Sequence, residues 1–480
     1  MHTPQLITSS QALLDRRNFL TNTGTGLGAI AFAWLLGNGR AQAAGTAHAP
    51  HFPAKAKRVI HIFSPGGMSH VDTFDYKPEL EKADGKSLEG KGQLDTFFGK
   101  PGMLRKSVYG FKQYGQSGAW VSDLFPHLST CVDDMAIIRS MVAKSPAHQP
   151  ACYQMNTGFT LAGFPSLGGW LSYGLGCESD NLPTFVVLPD PRGLVNGGSA
   201  NWSNGFLPAE HQGTVLDTSA DNLVADLKTP AQITPAARTA SLGLLAQLNR
   251  AYAAEDPADT SLHARLGSYE LATRMQSSIP ETVDFRDESP ATRALYGLDH
   301  PVIGPTARNF LLARRLVERG VRFVQVYNGG ALGSPRINWD GHENVKENHD
   351  RQGQLLDQPC AALLKDLKQR GMLNDTLVIW STEFGRTPFT QGDKNSLGRD
   401  HHQHTFTCWL AGAGVKPGIC FGTSDEVGYK AAENPVTVYD FHATILHILG
   451  LDHEKLTFYH NGINRRLTDV HGKVVNGLLA

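Results

Sequence analysis

The stretch from residue 374 to 406, NDTLVIWSTEFGRTPFTQGDKNSLGRDHHQHTF, constrains the fold of this chain more than any other. It begins with a short apolar and β-branched run at 376–380, which predicts a buried strand. Polar residues follow at once: Glu383 and Arg386 come directly after the strand, and the segment DHHQH at 400–404 follows a loop rich in polar residues. In open parallel sheets, ligands bind beyond the carboxyl ends of the strands. We therefore expect a functional site at the end of this strand.

Apolar runs that predict strands alternate along the chain with stretches that predict helices. We expect strands at 57–64, 182–189, 321–327 and 405–410, and helices at 306–319, 359–370 and 436–450. This alternation favours an α/β fold with a mostly parallel central sheet and helices on both faces. We expect one domain over residues 53–476, with a helical insertion at about 229–290, where Ala, Leu and charged residues become frequent.

The segment LNDTLVIWSTEFG, which begins at Leu373, resembles the alkaline phosphatase and sulfatase superfamily. The pairing of STEFGRTP with GRDHH is more narrowly similar to the DUF1501 proteins, a group of exported sulfatase-like proteins. The resemblance extends over most of the chain. It implies an alkaline-phosphatase-like fold, a divalent metal ion as cofactor, and hydrolysis of a sulfate, phosphate or related ester of a small molecule or glycan.

The chain departs from the superfamily at three places. Glu383-Phe384 stands where the superfamily has Asp-His, and Gly66-Gly67 stands where it has paired aspartates. His148 falls on the position of the sulfatase nucleophile, and the Cys or Ser needed there is absent. For His148 the choice stays open between a catalytic role as nucleophile or general base, a metal ligand, and an ordinary structural histidine.

Candidate metal ligands follow several of the predicted strands. Asp340 and His342, separated by one glycine on a loop, can both face one ion, and borderline divalent metals accept such oxygen and nitrogen ligands. For Asp72, capping of the following segment is an equal alternative. We expect a divalent metal to be held by a subset of His70, Asp72, Asp340, His342, Glu383, His401, His402 and His404.

More specific expectations concern Glu383 and Arg386. We expect the carboxylate of Glu383 to share one ion with His401 or His402, and with Asp340 or His342. Arg386 is expected to act in catalysis by pairing with the anionic group of the substrate through two hydrogen bonds.

Two classes of function remain open. The first is a metal-dependent hydrolase or transferase that acts on esters in the cell envelope, and the acid and histidine clusters favour it. The second is an exported binding or structural protein that has kept the fold and lost the chemistry, and the departures from the superfamily favour that class. Measurement of the metal content of the purified protein would distinguish these two classes.

Charge and composition exclude other classes. The formal net charge of −1 offers no field to recruit nucleic acid, so we expect no nucleic-acid partner. The six cysteines show no C-x-x-C spacing, which argues against a zinc–thiolate site. No stretch is long and apolar enough to predict an integral membrane span.

The N-terminus has the pattern of an export signal. Arg16 and Arg17 form a twin-arginine pair that is followed by an apolar run at 26–36 and an A-x-A cleavage site at 41–43. We expect residues 1–43 to be a signal peptide for the twin-arginine export machinery and the mature protein to be periplasmic or secreted.

Replacement of Arg16 and Arg17 by Lys should leave the precursor in the cytoplasm, because the export machinery reads the arginine pair. Cell fractionation followed by immunoblotting measures this. The same fractionation pattern for the double variant and the wild type would show that the targeting prediction is wrong.

Overall fold

The computed structural model describes residues 50–88, 94–219, 232–255, 279, 281–331, 336–392 and 395–480. The helices are α1 Pro78–Lys82, α2 His148–Thr157, α3 Leu167–Leu175, α4 Pro235–Glu255, α5 Pro290–Tyr296, α6 Gly304–Glu318, α7 Val345–Gln369 and α8 Val438–Ile448. The strands are β1 Arg58–Phe63, β2 Pro101–Leu104, β3 Phe111–Tyr114, β4 Ala119–Ser122, β5 Met135–Val142, β6 Phe185–Leu188, β7 Thr214–Val215, β8 Phe323–Tyr327, β9 Thr376–Ser381, β10 Gly385–Gln391, β11 Arg399–His402, β12 Phe406–Gly412, β13 Ile419–Phe421, β14 Thr423–Ser424, β15 Ala431–Glu433, β16 Val436–Thr437, β17 Phe458–His460 and β18 Ile463–Arg465.

A nine-stranded sheet forms the centre of the fold, in the order β13-β5-β12-β9-β1-β8-β6-β7, with β16 paired to β5. The strands β9, β1, β8, β6 and β7 pair in parallel with one another, whereas β12 runs antiparallel to both β9 and β5. The prediction of a mostly parallel α/β sheet is therefore confirmed.

Helices cover both faces of this sheet. Successive side chains of each strand point to opposite faces, and both faces are apolar and pack against helices. In β9, Val378 and Trp380 pack in one layer with α5, α6 and α7. Leu377 and Ile379 pack in the other layer with α2, α3 and α8. The strand is buried on both sides, which explains its continuous apolar sequence.

β12 is antiparallel to its neighbour β9 in the mostly parallel sheet. Parallel strands need a long crossover, whereas an antiparallel strand can start at the edge where its neighbour ends. The residues between β9 and β12 instead form the antiparallel pair of β10 and β11, in which Arg386 lies opposite His401. This pair therefore follows directly from the end of β9, next to the start of β12.

Three further elements differ from the sequence expectation. β5 was not predicted, although it pairs with β12, β13 and β16. α7 starts at Val345 instead of Pro359, because the side chain of Asn344 caps it by accepting a hydrogen bond from the amide of Glu347. In the expected insertion, α4 is present, and residues 256–278 lie outside the described residues.

No helix in the described ranges is both long and apolar enough to cross a membrane.

Buried neutral histidines make the stability of this fold dependent on pH. His61 lies on β1 with its Nε2 2.7 Å from the hydroxyl oxygen of Ser381, and burial together with the nearby His442 lowers its pKa to about 3. The unfolded chain binds a proton at this residue below a pH of about 6.5, whereas the folded chain stays neutral until about 3. Stability is therefore complete above this window and is lost as the pH falls through it.

His61→Gln should make stability less dependent on pH, because Gln retains hydrogen-bonding capacity and does not titrate. Between pH 6 and pH 5, the wild type should lose about 1 kcal/mol more unfolding free energy than the variant. Urea denaturation at a series of pH values measures this difference. Ser381→Ala is the control and should lower stability at every pH without flattening the profile. Equal slopes for His61→Gln and the wild type would contradict the prediction.

Candidate metal centre

Four side chains from distant parts of the chain form one cluster beyond the sheet. His148 is the first residue of α2, Asp340 and His342 lie on the loop between β8 and α7, and His401 lies on β11. One ligand atom from each of these residues lies within 4.8 Å of the ligand atoms of the other three. Since His148, Asp340 and His401 are buried and His342 is largely buried, the cluster is an enclosed site.

One carboxylate oxygen is the centre of this cluster. Oδ1 of Asp340 lies 2.8 Å from Nε2 of His342, 3.3 Å from Nε2 of His148 and 3.4 Å from Nε2 of His401. The three imidazoles thus direct the same ring nitrogen toward one point.

The opposite nitrogen of each imidazole is held by an oxygen acceptor. Nδ1 of His148 lies 2.6 Å from Oε1 of Glu383, and Nδ1 of His401 lies 2.7 Å from the carbonyl oxygen of Pro146. Nδ1 of His342 contacts Oε1 of Gln391. Because these oxygens accept hydrogen bonds, each Nδ1 carries a proton. In a neutral ring, Nε2 then has no proton and offers a lone pair. Such outer partners fix the tautomer of histidines that bind metals.

Two of these nitrogens face each other. Nε2 of His342 lies 2.8 Å from Nε2 of His401, and Nη1 of Arg386 lies 3.5 Å from Nε2 of His342. Nε2 of His148 is buried and lies 3.3 Å from Oδ1 of Asp340. A proton or a cation at this point would bind these lone pairs. Three imidazole nitrogens and one carboxylate suit a borderline divalent metal such as zinc.

The surroundings of His401 and His148 shift the pKa values of these two residues in opposite directions. Burial lowers the pKa of His401 to about 2, and Arg386 adds to this effect, so that His401 stays neutral. Burial also acts against the charged form of His148, but hydrogen bonds to Asp340 and Glu383 raise its pKa above the ordinary value. The surroundings of His148 therefore favour its protonated form, whereas those of His401 favour the neutral form.

Asp340 stays ionised for a related reason. Burial alone would raise the pKa of Asp340, but Arg386 and the three surrounding imidazoles hold it far below its usual range. Nη2 of Arg386 lies 2.6 Å from Oδ1, and Arg336 pairs with Oδ2. The carboxylate is thus a fixed negative charge inside the protein.

The expected role of Arg386 in binding a substrate anion does not fit the structure. Its side chain is completely buried, and its donors contact protein acceptors, namely Asp340 and the carbonyl oxygens of Gly66, Gly67 and Arg399. Arg386 instead ties Asp340 to the turn after β1. Gly66 in that turn has a φ of 114°, and a Cβ there would collide with the backbone of Trp339 and Asp340.

Glu383 contacts the cluster through His148 and not directly, in contrast to the expectation. Its Oε1 contacts Nδ1 of His148 and accepts a hydrogen bond of 2.8 Å from the amide of Gly66. Both contacts place the carboxylate behind His148, and Glu383 is not a member of the cluster of four. The expectation that it shares an ion directly with His401 or His402 is therefore corrected: Glu383 orients a ligand.

The remaining four candidate ligands have partners elsewhere. Nε2 of His70 lies 2.9 Å from the carbonyl oxygen of Gly428, and Asp72 pairs with Arg399 at 2.7 Å. His402 contacts the carbonyl oxygen of Tyr429, and His404 lies 2.8 Å from Asp95. Neighbouring residues of a strand point to opposite sides, so β11 can direct His401 into the cluster while His402 faces away.

Several contributors were missed at the sequence level. Gln391, Pro146 and Arg336 hold cluster residues in place, and Phe97 and Phe98 lie against its imidazoles. Their roles depend on backbone position and ring contact, for which the sequence has no distinct signal.

Comparisons with known proteins complete this description. No curated protein matches the chain. Among solved structures, the lipoteichoic acid synthase LtaP from Listeria monocytogenes is 11% identical with a TM-score of 0.34, covering 84% of this chain and 74% of that one. The alkaline phosphatase from the Antarctic bacterium TAB5 is 11% identical with a TM-score of 0.34, covering 83% and 99%. The C-terminal periplasmic domain of EcEptC from Escherichia coli is 9% identical with a TM-score of 0.34, covering 86% and 88%.

The family model described as a protein of unknown function, DUF1501, matches residues 56–479. This match includes the four residues of the cluster and all strands of the central sheet. The chain belongs to the DUF1501 family.

Proposed function

We propose that this protein binds a divalent metal ion through His148, Asp340, His342 and His401 and uses it to hydrolyse a sulfate, phosphate or related ester after export from the cytoplasm. The observation that carries the proposal is the convergence of three Nε2 atoms on one oxygen of Asp340, while three oxygen acceptors hold the opposite ring nitrogens.

Each residue of the cluster would have a defined role in binding the metal. His148, His342 and His401 offer lone pairs, and Asp340 offers a negative charge that Arg386 and Arg336 hold in place. A metal held there supplies Lewis acidity, which polarises an ester and makes a water molecule more acidic.

The residues of α2 favour water, and not a protein side chain, as the nucleophile. His148 occupies the first position of this helix, and its Nδ1 is engaged by Glu383. Cys152, one turn further on, is completely buried, and burial raises the pKa of its thiol well above the ordinary value. A thiolate at this residue is therefore strongly disfavoured. Hydrolysis would then proceed by attack of water, without a covalent enzyme intermediate.

Export is part of the proposal and is supported by the twin-arginine pattern at Arg16 and Arg17. The substrate would accordingly be met in the periplasm or outside the cell.

A second function is favoured by one specific observation. The cluster supplies four protein ligands, and sites closed by four protein ligands are more often structural than catalytic. In that case the metal would stabilise an exported binding or structural protein. The two functions differ in turnover: the metal-loaded protein should cleave 4-nitrophenyl phosphate or 4-nitrophenyl sulfate faster than the chelator-treated protein if the first is correct. Stoichiometric metal without turnover on a broad panel of esters would favour the second.

Elemental analysis of the purified mature protein should find about one equivalent of divalent metal, since three imidazoles and one carboxylate converge. His342→Ala should lower this content well below one equivalent by removing a ligand. The matched control is His404→Ala, which removes a histidine that pairs with Asp95 outside the cluster and should retain the metal. Absence of metal from the wild type, or equal loss in both variants, would contradict the site.

Removal of the carboxylate behind His148 should weaken metal binding without removing a ligand. Glu383→Ala should lower the affinity by about 10- to 100-fold, the range typical of outer partners of metal ligands. Glu383→Gln should retain much of the affinity, because the amide oxygen can still accept from Nδ1 of His148. Competition with a chromophoric chelator measures both variants. Equal affinities of Glu383→Ala and the wild type would show that Glu383 does not orient the ligand.

A further inference from the structure

Two adjacent phenylalanines cover the outer side of the metal cluster. Phe97 and Phe98 belong to residues 95–99, which we call the aromatic strap. The ring of Phe97 stacks on His401 with centroids 4.8 Å apart, and the ring of Phe98 meets His342 edge to face at 5.3 Å. Both rings therefore contact imidazoles that we assign as metal ligands.

The strap is attached to the same strand as His401. The amides of Phe97 and Phe98 donate to Oδ2 of Asp400 at 2.8 and 2.7 Å, and Oδ1 of Asp400 accepts from the amide of His401 at 2.8 Å. The amide of Asp95 also donates to the hydroxyl oxygen of Tyr429 at 2.9 Å. These contacts hold the backbone of the strap and leave the phenyl rings free to meet another molecule.

The two rings remain open to solvent despite their contacts. Phe97 is 39% exposed and Phe98 is 47% exposed, and their centroids lie 4.6 Å apart in an edge-to-face arrangement. Of the four cluster side chains, His342 beneath Phe98 is the most exposed, at 11%. The cluster is therefore most open to solvent beside these rings.

We infer that Phe97 and Phe98 bind the ring of a ring-bearing ester, so that the substrates of the proposed hydrolase are sulfate or phosphate esters of cyclic alcohols. This inference rests on the proposed function. Exposed phenyl faces gain from contact with the apolar face of another ring, and such contacts are worth more than buried area alone. The anionic end of the same molecule would then lie toward the cluster.

The corresponding reaction is ordinary hydrolysis. The oxygen of water forms a bond to sulfur or phosphorus, and the bond from that atom to the ester oxygen breaks. One proton of water ends on the cyclic alcohol, and the other ends on the sulfate or phosphate product or in solvent.

Stable phosphonates test the inference without turnover. Benzylphosphonate and methylphosphonate share the anionic group, and only the first has a ring. We expect the zinc-loaded wild type to bind benzylphosphonate about 10-fold more tightly by isothermal titration calorimetry, as expected for favourable ring contacts. The double variant Phe97→Ala/Phe98→Ala should bind both phosphonates with equal affinity, and its affinity for methylphosphonate should match the wild type.

Tyr459→Ala provides the matched control, since Tyr459 is an exposed aromatic residue on β17, 55% accessible. This variant should retain the preference for benzylphosphonate. Zinc content is measured in every sample. If zinc is bound but the wild type does not prefer benzylphosphonate, or the double variant retains the preference, the inference about the ring is wrong and the metal site stands. If the wild type binds neither zinc nor another divalent metal, the proposed function fails and the inference fails with it.

Discussion

The contact of one buried carboxylate oxygen with three imidazoles and a guanidinium is the interaction on which the site depends. A buried carboxylate without partners is strongly unfavourable, and removal of one partner from a buried pair leaves an uncompensated charge. Oδ1 of Asp340 faces Arg386 at 2.6 Å, and Arg386 in turn binds carbonyl oxygens of the turn after β1. The position of Asp340 is thereby fixed by the central strand of the sheet, although the residue itself lies on a loop.

The direction of β12 explains how residues far apart in sequence reach this carboxylate. Because β12 is antiparallel to β9, it begins at the edge where β9 ends, and the intervening residues form β10 and β11 at that edge. Arg386 on β10 lies opposite His401 on β11, which brings the guanidinium and the imidazole to the same side. If β12 were parallel to β9, the segment between them would have to return to the opposite edge of the sheet before β12 could start.

The sequence predicted the parts of the fold that have a strong local pattern. β1, β8 and β9 are continuous apolar runs, and α8 has an apolar stripe of helical spacing, so each was recognisable without a structure. β5 was missed although its sequence, MAIIRSMV, is mostly apolar. β10 was missed because GRTPFTQ is mostly polar, and its burial results from tertiary contacts.

For the site, residue type and position after a strand were sufficient to suggest Asp340, His342 and His401. They were not sufficient to separate His401 from His402, since adjacent residues of β11 face opposite sides and the facing is set by the register with β10. Glu383 was recognised as part of the site but was assigned the wrong distance from the centre. Its carboxylate is directed by the backbone amide of Gly66, a contact that has no signature in the sequence around Glu383.

The arrangement of protons in the cluster bears on our proposal that a cation occupies the centre. Protonation of His148 is stabilised by Asp340 and Glu383, and this removes one of the three Nε2 lone pairs from the cluster. Nε2 of His342 lies 2.8 Å from Nε2 of His401, and the donor that faces Nε2 of His342 is Nη1 of Arg386, at a long distance of 3.5 Å. Burial, Arg386 and the neighbouring imidazoles oppose a proton on His401. A metal ion would satisfy all three lone pairs at once. Because histidine binds a metal in its neutral form, metal binding would weaken as the pH falls, and it would add its free energy to that of the folded state.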